Sequence, residues 1–474
     1  MKNKILLINF SDNFLIQVAK KLNITNRVYL YANLKNETDL EDFYKHINPK
    51  DLNYNQIKDE NSILTNKIID EYLEIEKFFF SFCDRIFLKT LSFRKKKEYY
   101  LILLNFWINF FKNNKDLDLI IYESHPHMPQ DIFPYFISKK MGISCYIIKS
   151  TSIENSILFD QNLTSEPNYF KFNNLTSSKN FITNFYNFTS KDKFSKKINN
   201  TKHIDIFNSV FTYLFSRMRI IRNFKILYRR YKSTYHNGNF LTYLLLLVYR
   251  DIEKTYFRFF LKKQINPDLE KNYFYFSLHY QPERSTDPQA SNYTYQLLVL
   301  KILDKIIPSN YIIYVKEHPR QYSDNFPDIR KIHFRDKKFY LDIKKLKNVK
   351  LININFNSEE LIKYSKLNIS CTGSNVWEGI KKYSVPGIHF GSTWLNSCKS
   401  TPSALNLDEI EIKTLIEKLL SKKKHEIKQD LENFKNFISK YSINSYNGKL
   451  FSENNKEILI NNLVDAINII YEKK

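Results

Sequence analysis

The chain has 474 residues, 43% of them hydrophobic and 16% aromatic, and carries a formal net charge of +24. Its length predicts two or three domains, and its apolar content excludes a disordered protein. The charge favours a phosphorylated substrate or an anionic lipid surface over nucleic acid, because the sequence has no zinc-ligand spacing, RNA-binding aromatic motif or basic heptad region. Four dispersed cysteines, without a C-x-x-C pair, fit a reducing cytoplasm.

The N-terminal third alternates between strand-like and helix-like patterns. The apolar run KILLIN at residues 4–9 predicts a buried strand rather than a signal peptide, since Ser11 and Asp12 interrupt it at once. A helix, a strand, a long aromatic helical region and a strand–helix–strand series at 116–150 follow. Such alternation predicts a parallel sheet whose site lies at the carboxyl ends of the strands. We assign residues 1–165 to a Rossmann-like domain.

The middle of the chain, residues 166–267, predicts a linker followed by a helical insertion that is crowded with basic and aromatic side chains. Two interpretations stay open: helices packed between domains, or amphipathic helices lying on the inner face of a membrane with their cations at the headgroups. The longest apolar runs, YYLILLNFWINFF and FLTYLLLLVY, are shorter than the roughly 20 residues that cross a bilayer. We therefore expect a cytoplasmic protein whose membrane contact, if any, is peripheral.

A second alternating series begins at NYFYFSLHYQ and predicts another Rossmann-like domain at residues 268–425. Helices at 426–474 complete the chain, and we expect the last of them to pack back across the molecule. The predicted fold class is therefore α/β, with two Rossmann-like domains facing a cleft and a helical insertion between them.

The segment CTGSNVWEGIKKYSVPGIHFG contains four of the chain's 7 glycines. A strand ends before Gly373 and a helix begins near Asn375, so free backbone N–H groups and the helix dipole would form an anion site there. Thr372 and Ser374 add hydroxyl donors, and the glycine lets a phosphate approach the backbone. Glu378 is either an acceptor for ribose hydroxyls or the partner of Asn375 in a capping box.

The segment VKEHPR lies at the carboxyl end of another predicted strand. His318 would donate to a phosphate there, or protonate a leaving group if its pKa is near the working pH. Lys316 and Arg320 supply positive charge on either side. A structural hydrogen bond is the alternative for His318, but the Thr-Gly-Ser turn that follows later in the same domain favours the functional interpretation.

The polar loop SLHYQPERSTDP, between a strand and a helix, is typical of a substrate loop at a cleft edge. It carries His279, Gln281, Glu283, Arg284 and Ser285. A solvated turn shaped by two prolines is the alternative. From this loop we select Gln281 and Glu283 as candidate donor-binding residues.

The comparable segment of the first domain is IIYESHPHMPQD, just past a predicted strand. Glu123, His125 and His127 would face the second domain from there. A carboxylate or an imidazole in such a place can act as a general base, and we select Glu123 and His125 for that role. An H-x-H pair beside one Glu is weak as a metal site, so we predict no metal.

The order HYQPE, VKEHP, S-C-TGS-x-x-W-E-G and VPGIHFG-x-x-W resembles the bacterial capsular polysaccharide biosynthesis proteins. That family is related to the capsule 3-deoxy-manno-octulosonic acid (Kdo) transferases, and its HP and Ser/Thr motifs are similar to those of bacterial sialyltransferases. The resemblance covers mainly residues 272–395, with a weaker match at 118–155. It implies a GT-B fold whose second domain holds a nucleotide donor, with His318 and the Thr-Gly-Ser turn at the phosphate and Glu378 at the ribose.

The resemblance implies an inverting, metal-independent glycosyltransferase of capsular or lipopolysaccharide-type biosynthesis that uses no cofactor. The donor would be a nucleotide sugar, with a CMP-activated acidic sugar favoured, and the acceptor a saccharide or a lipid-linked molecule held by residues 1–165. The acidic D/E-x-D/E-G base motif of sialyltransferases is absent from the N-terminal half. Two alternatives stay open: a nucleotide-sugar 2-epimerase or hydrolase of the same fold, and a non-catalytic partner of polysaccharide assembly or export.

Overall fold

The computed structural model describes residues 4–34, 43–52, 57, 64–87, 91–153, 155–172, 185, 228, 231, 239–283, 285–322, 335–445 and 456–473. Most of the predicted linker and helical insertion lies outside these residues, and so does Arg284 of the polar loop. The contacts that follow belong to this part of the chain.

Two sheets are built from the strands of the described residues. These strands are β1 (Lys4–Ile8), β2 (Arg27–Tyr31), β3 (Lys45–Ile47), β4 (Leu119–Tyr122), β5 (Ser144–Ser150), β6 (Ser156–Asp160), β7 (Tyr273–Ser277), β8 (Ile312–Lys316), β9 (Val349–Leu351), β10 (Leu367–Ser370), β11 (Gly387–His389) and β12 (Ser442–Asn444). Several are short apolar runs that are buried throughout, such as β4 and β6. Continuous burial is expected where helices cover both faces of a sheet.

Helices alternate with these strands. They are α1 (Asn13–Thr25), α2 (Asn66–Glu71), α3 (Leu73–Phe87), α4 (Phe93–Asn113), α5 (Ile132–Lys140), α6 (Phe240–Lys262), α7 (Gln296–Ile306), α8 (Lys337–Lys345), α9 (Ser358–Tyr364), α10 (Asn375–Glu378), α11 (Glu409–Leu420), α12 (Lys424–Ile438) and α13 (Lys456–Glu472). Side-chain caps start several of them; Asp12, for example, accepts the Leu15 N–H at 2.8 Å. Within the described ranges, none of these helices combines the length and apolarity that crossing a bilayer requires.

The first unit is a seven-stranded sheet with the order β12-β6-β5-β4-β1-β2-β3. β1 to β5 are parallel, and β6 and β12 extend one side in antiparallel fashion. Helices α3, α4 and α5 cover one face, while α1 and α13 cover the other. Lys21 of α1 donates to Asn461 of α13 at 2.8 Å. The expectation that the last helix packs back across the molecule is therefore confirmed.

The second unit is a five-stranded, fully parallel sheet with the order β11-β10-β7-β8-β9. Helices α6, α7, α8 and α11 share one apolar core on its first face, and α9 packs on the opposite face. The two sheets confirm the predicted fold class, α/β with two Rossmann-like units. The domain boundaries stay predictions, although β12 shows that residues near the C-terminus join the first sheet.

Polar contacts join the two units. Arg85 of α3 donates to Asp287 O at 2.9 Å, and Ser81 Oγ donates to Asp287 Oδ2 at 2.8 Å. Lys149 of β5 donates to Ser392 Oγ at 3.1 Å and pairs with Asp160 at 2.5 Å. Lys149 is almost fully buried, so its pairing with a carboxylate offsets the desolvation of its charge. The loops of the second unit thus lie directly against the first.

Candidate functional site

The strand order of the second sheet singles out one point along its edge. The chain passes from β7 through β8 to β9 on one side, then crosses to β10 and β11 on the other, so the order reverses between β7 and β10. In open parallel sheets, ligands bind in the crevice outside the carboxyl ends of the strands at such a switch point. The loop after β7 and the turn after β10 meet there.

Side chains from these strand ends hold the turn after β10. Ser370 Oγ accepts the Gly373 N–H at 2.9 Å, and the Thr372 N–H donates to His279 Nε2 at 3.0 Å. Two N–H groups that were expected to be free for a phosphate are therefore engaged in fixing the turn. Thr372 Oγ1 is buried and has no hydrogen-bond partner in the described part of the chain.

Gly373 is required for space rather than for its φ angle. A Cβ atom added there would lie 2.5 Å from Ser370 Oγ and 3.2 Å from His279 Nε2. Both distances are shorter than a carbon can tolerate without displacing the side chain that it meets. The glycine thus lets the ends of β7 and β10 approach each other.

His279 is the centre of the cluster, and only tertiary contacts reveal this. It is buried, with Nε2 2.8 Å from Ser370 Oγ. Because Nε2 accepts the Thr372 N–H, the ring proton belongs on Nδ1, 3.4 Å from Glu283 Oε2. Burial works to raise the pKa of Glu283, but the pKa is lowered below its ordinary value, and the hydrogen bond from His279 is the largest cause of that lowering. Glu283 is therefore a carboxylate at neutral pH.

His318 lies just beyond β8 and is half-buried. Its Nδ1 accepts the Arg320 N–H at 3.1 Å, which makes Nε2 the N–H donor of the neutral ring. Burial lowers the pKa of His318 to about 4, so the ring is neutral at pH 7. A neutral imidazole can donate a hydrogen bond to a phosphate. It is a poor source of a proton for a leaving group, which was the other predicted role.

A buried ion pair positions both histidines. Arg335 Nε donates to Glu317 Oε2 at 3.0 Å, and Tyr340 OH donates to the same oxygen at 2.7 Å. Glu317 Oε1 accepts the His318 N–H at 2.7 Å, and Arg335 Nη2 donates to His279 O at 3.0 Å. Glu317 and Arg335 were missed from the sequence. The signal for Glu317 is that it is a charged residue just after an apolar strand. No local signal marks Arg335.

Two predicted donor ligands, Lys316 and Gln281, make contacts of their own beside the site. Lys316 Nζ donates to Phe356 O and Ser358 Oγ, both at 2.6 Å, and burial lowers its pKa to about 8. The Gln281 N–H donates to Gln321 Oε1 at 2.8 Å, and Gln321 Nε2 donates back to Gln281 O at 3.0 Å. These hydrogen bonds therefore fix the end of β8 and the loop after β7.

The other predicted donor ligands are more accessible. Arg320 and Ser374 are exposed, and Ser374 Oγ donates to Glu378 Oε1 at 3.4 Å. The cap residue of α10 is Ser374, and Asn375 is the first helical residue, so the capping box centred on Asn375 is not formed. The ligand roles of these side chains stay predictions.

The first sheet has a switch point of the same kind, between β1 and β4. Glu123 lies directly after β4, where its N–H donates to Ile8 O at 3.0 Å and its Oε2 accepts from Ser124 Oγ at 2.8 Å. His127 follows, with its carbonyl accepting from Arg85 Nη2. No group of three or more His, Cys, Asp or Glu side chains in the described ranges is arranged to hold a metal ion.

His125 reaches the second unit. Gln289 Nε2, in the loop after β7, lies 3.0 Å from its ring nitrogens. The next residue, Ala290, is a neighbour of Gly391: a Cβ atom added at Gly391 would lie 3.1 Å from Ala290 Cα and 2.7 Å from Cγ2 of Thr372, in the turn after β10. Short contacts therefore connect the predicted base in the first unit with the candidate phosphate site in the second.

His389 is a histidine that sequence reasoning did not select for the site. It is fully buried at the end of β11, with Nε2 3.4 Å from Gly373 O and Nδ1 3.5 Å from Thr393 Oγ1. Burial lowers the pKa of His389 to about 4. From the sequence, GIHFG predicts only a strand, and the lone histidine in that apolar run is the signal that could have revealed it.

The fold and the strand-end site define an α/β protein with two Rossmann-like units. Neither a protein-family model nor a curated protein sequence matches the chain. Among solved structures it is similar to KpsC, beta Kdo 2,7 transferase, of Thermosulfurimonas dismutans, at 9% identity and a TM-score of 0.33 over 98% of this chain and 100% of that chain.

It is also similar to UDP-GlcNAc 2-epimerase from Methanocaldococcus jannaschii, at 11% identity and a TM-score of 0.25 over 90% of this chain and 94% of that chain. A further match is alpha,alpha-trehalose 6-phosphate synthase from Burkholderia multivorans, at 9% identity and a TM-score of 0.29 over 100% and 99% of the two chains. Similarity at these TM-scores carries nothing about the reaction, which has to be argued from this chain's own residues.

Proposed function

We propose that this protein is a glycosyltransferase that moves a sugar from a nucleotide donor to a saccharide or lipid-linked acceptor. The observation that carries the proposal is the meeting of His279, Ser370 and Gly373 at the switch point of the second sheet, with His318 one strand away. Polar groups at the carboxyl ends of parallel strands, beside the start of a helix, suit a phosphate and its nucleoside.

In this proposal the donor phosphate lies between the turn after β10 and the end of β8. His318 Nε2 donates to its oxygens, and Arg320 adds positive charge. The Ser374 hydroxyl turns from Glu378 to the phosphate, which leaves Glu378 to accept from a ribose hydroxyl. Thr372 Oγ1, buried and without a partner in the described residues, is a further donor. The net charge of +24 attracts such an anion over long range.

The proposed reaction is a single displacement that inverts the anomeric centre. The acceptor oxygen attacks the anomeric carbon, the bond from that carbon to the donor phosphate oxygen breaks, and its electron pair stays on the phosphate. The acceptor proton passes to Glu123 or His125 as general base. His318, as a neutral imidazole, stabilises the leaving phosphate by hydrogen bonding, together with helix N–H groups and basic side chains rather than a metal.

A CMP-activated acidic sugar is the donor that we favour, and a capsular or lipopolysaccharide-type surface polysaccharide is the product. The support is the motif order HYQPE, VKEHP and TGS-x-x-W-E-G, which resembles the capsular polysaccharide biosynthesis proteins. A carboxylate on the sugar would give the donor a second negative charge, which suits a strongly basic chain.

Nucleotide binding is the first test. A ligand at 100 times its dissociation constant stabilises the folded state by about 2.7 kcal/mol, which a thermal shift detects. We expect CMP to raise the melting temperature more than UDP or GDP does. A response to UDP or GDP alone would reject the CMP donor but keep a nucleotide-sugar enzyme, and a flat response to all three would favour the non-catalytic alternative.

His318→Ala tests the mechanism. We expect turnover to fall at least about 100-fold because a donor to the leaving phosphate is lost. The fold should be unaffected because His318 is only half-buried. His425→Ala, at an exposed histidine of α12, is the matched control and should transfer sugar normally. Normal transfer by the His318 variant would remove this residue from the mechanism, and product formed from the donor without any acceptor would indicate an epimerase or hydrolase.

A further inference from the structure

Helix α6 exposes a continuous row of large apolar side chains. This row, named the outer face here, consists of Leu241, Leu245, Val248, Ile252, Tyr256 and Phe259. Their exposed fractions lie between 46% and 62%. Spacings of three and four residues place them on one stripe, which is about 27 Å long at about 1.5 Å per residue. Single exposed apolar side chains are ordinary, but a contiguous stripe of this size marks an interaction surface.

The opposite side of the same helix is firmly packed. Phe257 and Leu261 are at most 3% exposed in the core of the second unit, and Phe257 stacks on Tyr322 with ring centroids 5.3 Å apart. α6 is therefore anchored to the second unit while it presents the outer face. A helix on the surface of a globular protein needs one apolar side for its own core, so a second apolar side calls for a separate partner.

The positive charge of the chain indicates whether a second copy or a lipid surface covers the outer face. Residues 216–263 contain 12 Lys and Arg against 2 Asp and Glu, and the whole chain carries +24. Two copies of so basic a chain repel each other, which disfavours self-association through this face. Anionic lipid headgroups carry the complementary charge and attract basic segments beside an apolar helix face.

The composition of α6 suits the membrane interface. An interfacial helix lies in the plane of the membrane with its apolar side roughly 5–10 Å below the headgroups. Aromatic rings prefer that depth, and lysines reach up to the phosphates. At the C-terminal end of the outer face, Lys263 Nζ lies 4.1 Å from the centroid of the Phe259 ring, so a cation borders the apolar stripe.

We infer that the outer face of α6 docks on an anionic phospholipid surface, with the helix axis parallel to the membrane. None of the residues of the outer face belongs to the strand-end site, so this inference does not depend on the nucleotide chemistry. Docking in this way would hold the enzyme beside a lipid-linked acceptor.

Vesicle sedimentation of the full chain tests the inference. The probes are vesicles of phosphatidylcholine alone and vesicles of phosphatidylcholine mixed with phosphatidylglycerol. We expect at least about tenfold tighter binding to the anionic vesicles, and at least about a tenfold loss of it in Leu245→Glu/Ile252→Glu. Ile410→Glu is the matched control, since Ile410 is 76% exposed on α11, and it should bind like the unaltered chain.

A second double variant, Leu245→Gln/Ile252→Gln, removes the apolar contact without adding charge and should also weaken binding. Equal binding of the unaltered chain to both vesicle types overturns the inference. Unimpaired binding by both double variants overturns it too, because the basic stretch before α6 would then be the contact.

Light scattering tests the other occupant: a dimer that the double variants dissociate would mean that a second copy covers the outer face. The CMP thermal shift reports separately on the nucleotide site.

Discussion

The strand ends of the two sheets hold their polar side chains in different ways. In the second unit, the start of the loop after β7 and the turn after β10 are fixed within the unit by His279, Ser370 and the buried pair of Glu317 and Arg335. The far part of that loop contacts the first unit. In the first unit, the loop after β4 takes part of its support from the other unit, through His125 and Gln289. The cluster around His279 is therefore set by packing within its own unit, whereas the loop around His125 is shaped partly by the contact between units.

This difference fits the proposal that the second unit binds the donor and the first unit the acceptor. A site that must stabilise charge on a leaving phosphate benefits from donors fixed in advance, because they need no reorganisation during the reaction. A loop that contributes a base to an incoming acceptor can be completed when the two units meet. This division between the units predicts losses in the free energy of unfolding that are largest for changes in the second unit and smallest for changes in the first.

Breaking the buried ion pair should have the largest effect. Glu317→Gln leaves the Arg335 guanidinium buried without its carboxylate, and we expect a loss of about 3–5 kcal/mol in the free energy of unfolding. Denaturant unfolding measures the loss. The control is Glu409→Gln, which removes an exposed pair with Lys305 and should cost less than about 1 kcal/mol. Equal losses in the two variants would mean that the buried pair does not hold the second site together.

Filling the space at Gly373 should cause the second-largest loss in the free energy of unfolding. Gly373→Ala places a carbon against Ser370 Oγ and His279 Nε2, and we expect a loss of about 1–3 kcal/mol together with a smaller thermal shift on nucleotide addition. Ser374→Ala changes the exposed neighbour and should leave the stability unchanged. An alanine variant at 373 as stable as the unaltered chain would show that the strand ends need not approach so closely.

Acid should destabilise the second unit. His318 and His389 have folded pKa values of about 4, below the ordinary value of 6.5, so between those pH values the unfolded chain binds protons that the folded chain does not. Their contribution is complete above about pH 6.5 and is lost as the pH falls toward 4. The slope is on the order of 1 kcal/mol per pH unit for the fully buried His389. His389→Gln should flatten the pH dependence of unfolding, and an unchanged slope would exclude His389 as its source.

Changes in the first unit should affect stability least. Glu123→Gln and His125→Ala should each cost less than about 1 kcal/mol and leave the nucleotide thermal shift intact, because both side chains are half-buried in the loop after β4 and not in the turn after β10. Turnover should fall about 100-fold in the variant that removes the base. A nucleotide shift lost in either variant would contradict the separation of donor and acceptor functions between the units.

Much of the fold followed from local patterns. Apolar runs such as residues 4–9 and 272–278 indicated buried strands, and the turn before Asn375 indicated a strand-to-helix junction, because alternation and strand-ending polar residues are properties of short segments. The candidate site was only partly accessible in this way. The polar loop after β7 was recognised, but its central residue, His279, could not be told from its polar neighbours without its partners.

The sequence by itself determined where strands end in polar residues and where glycine is concentrated, because both features depend on residues that are adjacent in the chain. Only the tertiary structure decided that β7 lies between β8 and β10, and with it that His279 meets Ser370, 91 positions away. Strand order depends on how whole helices and sheets pack, so no local pattern specifies it. Glu317 and Arg335 became part of the site for the same reason, since their pairing arises from the packing around β8.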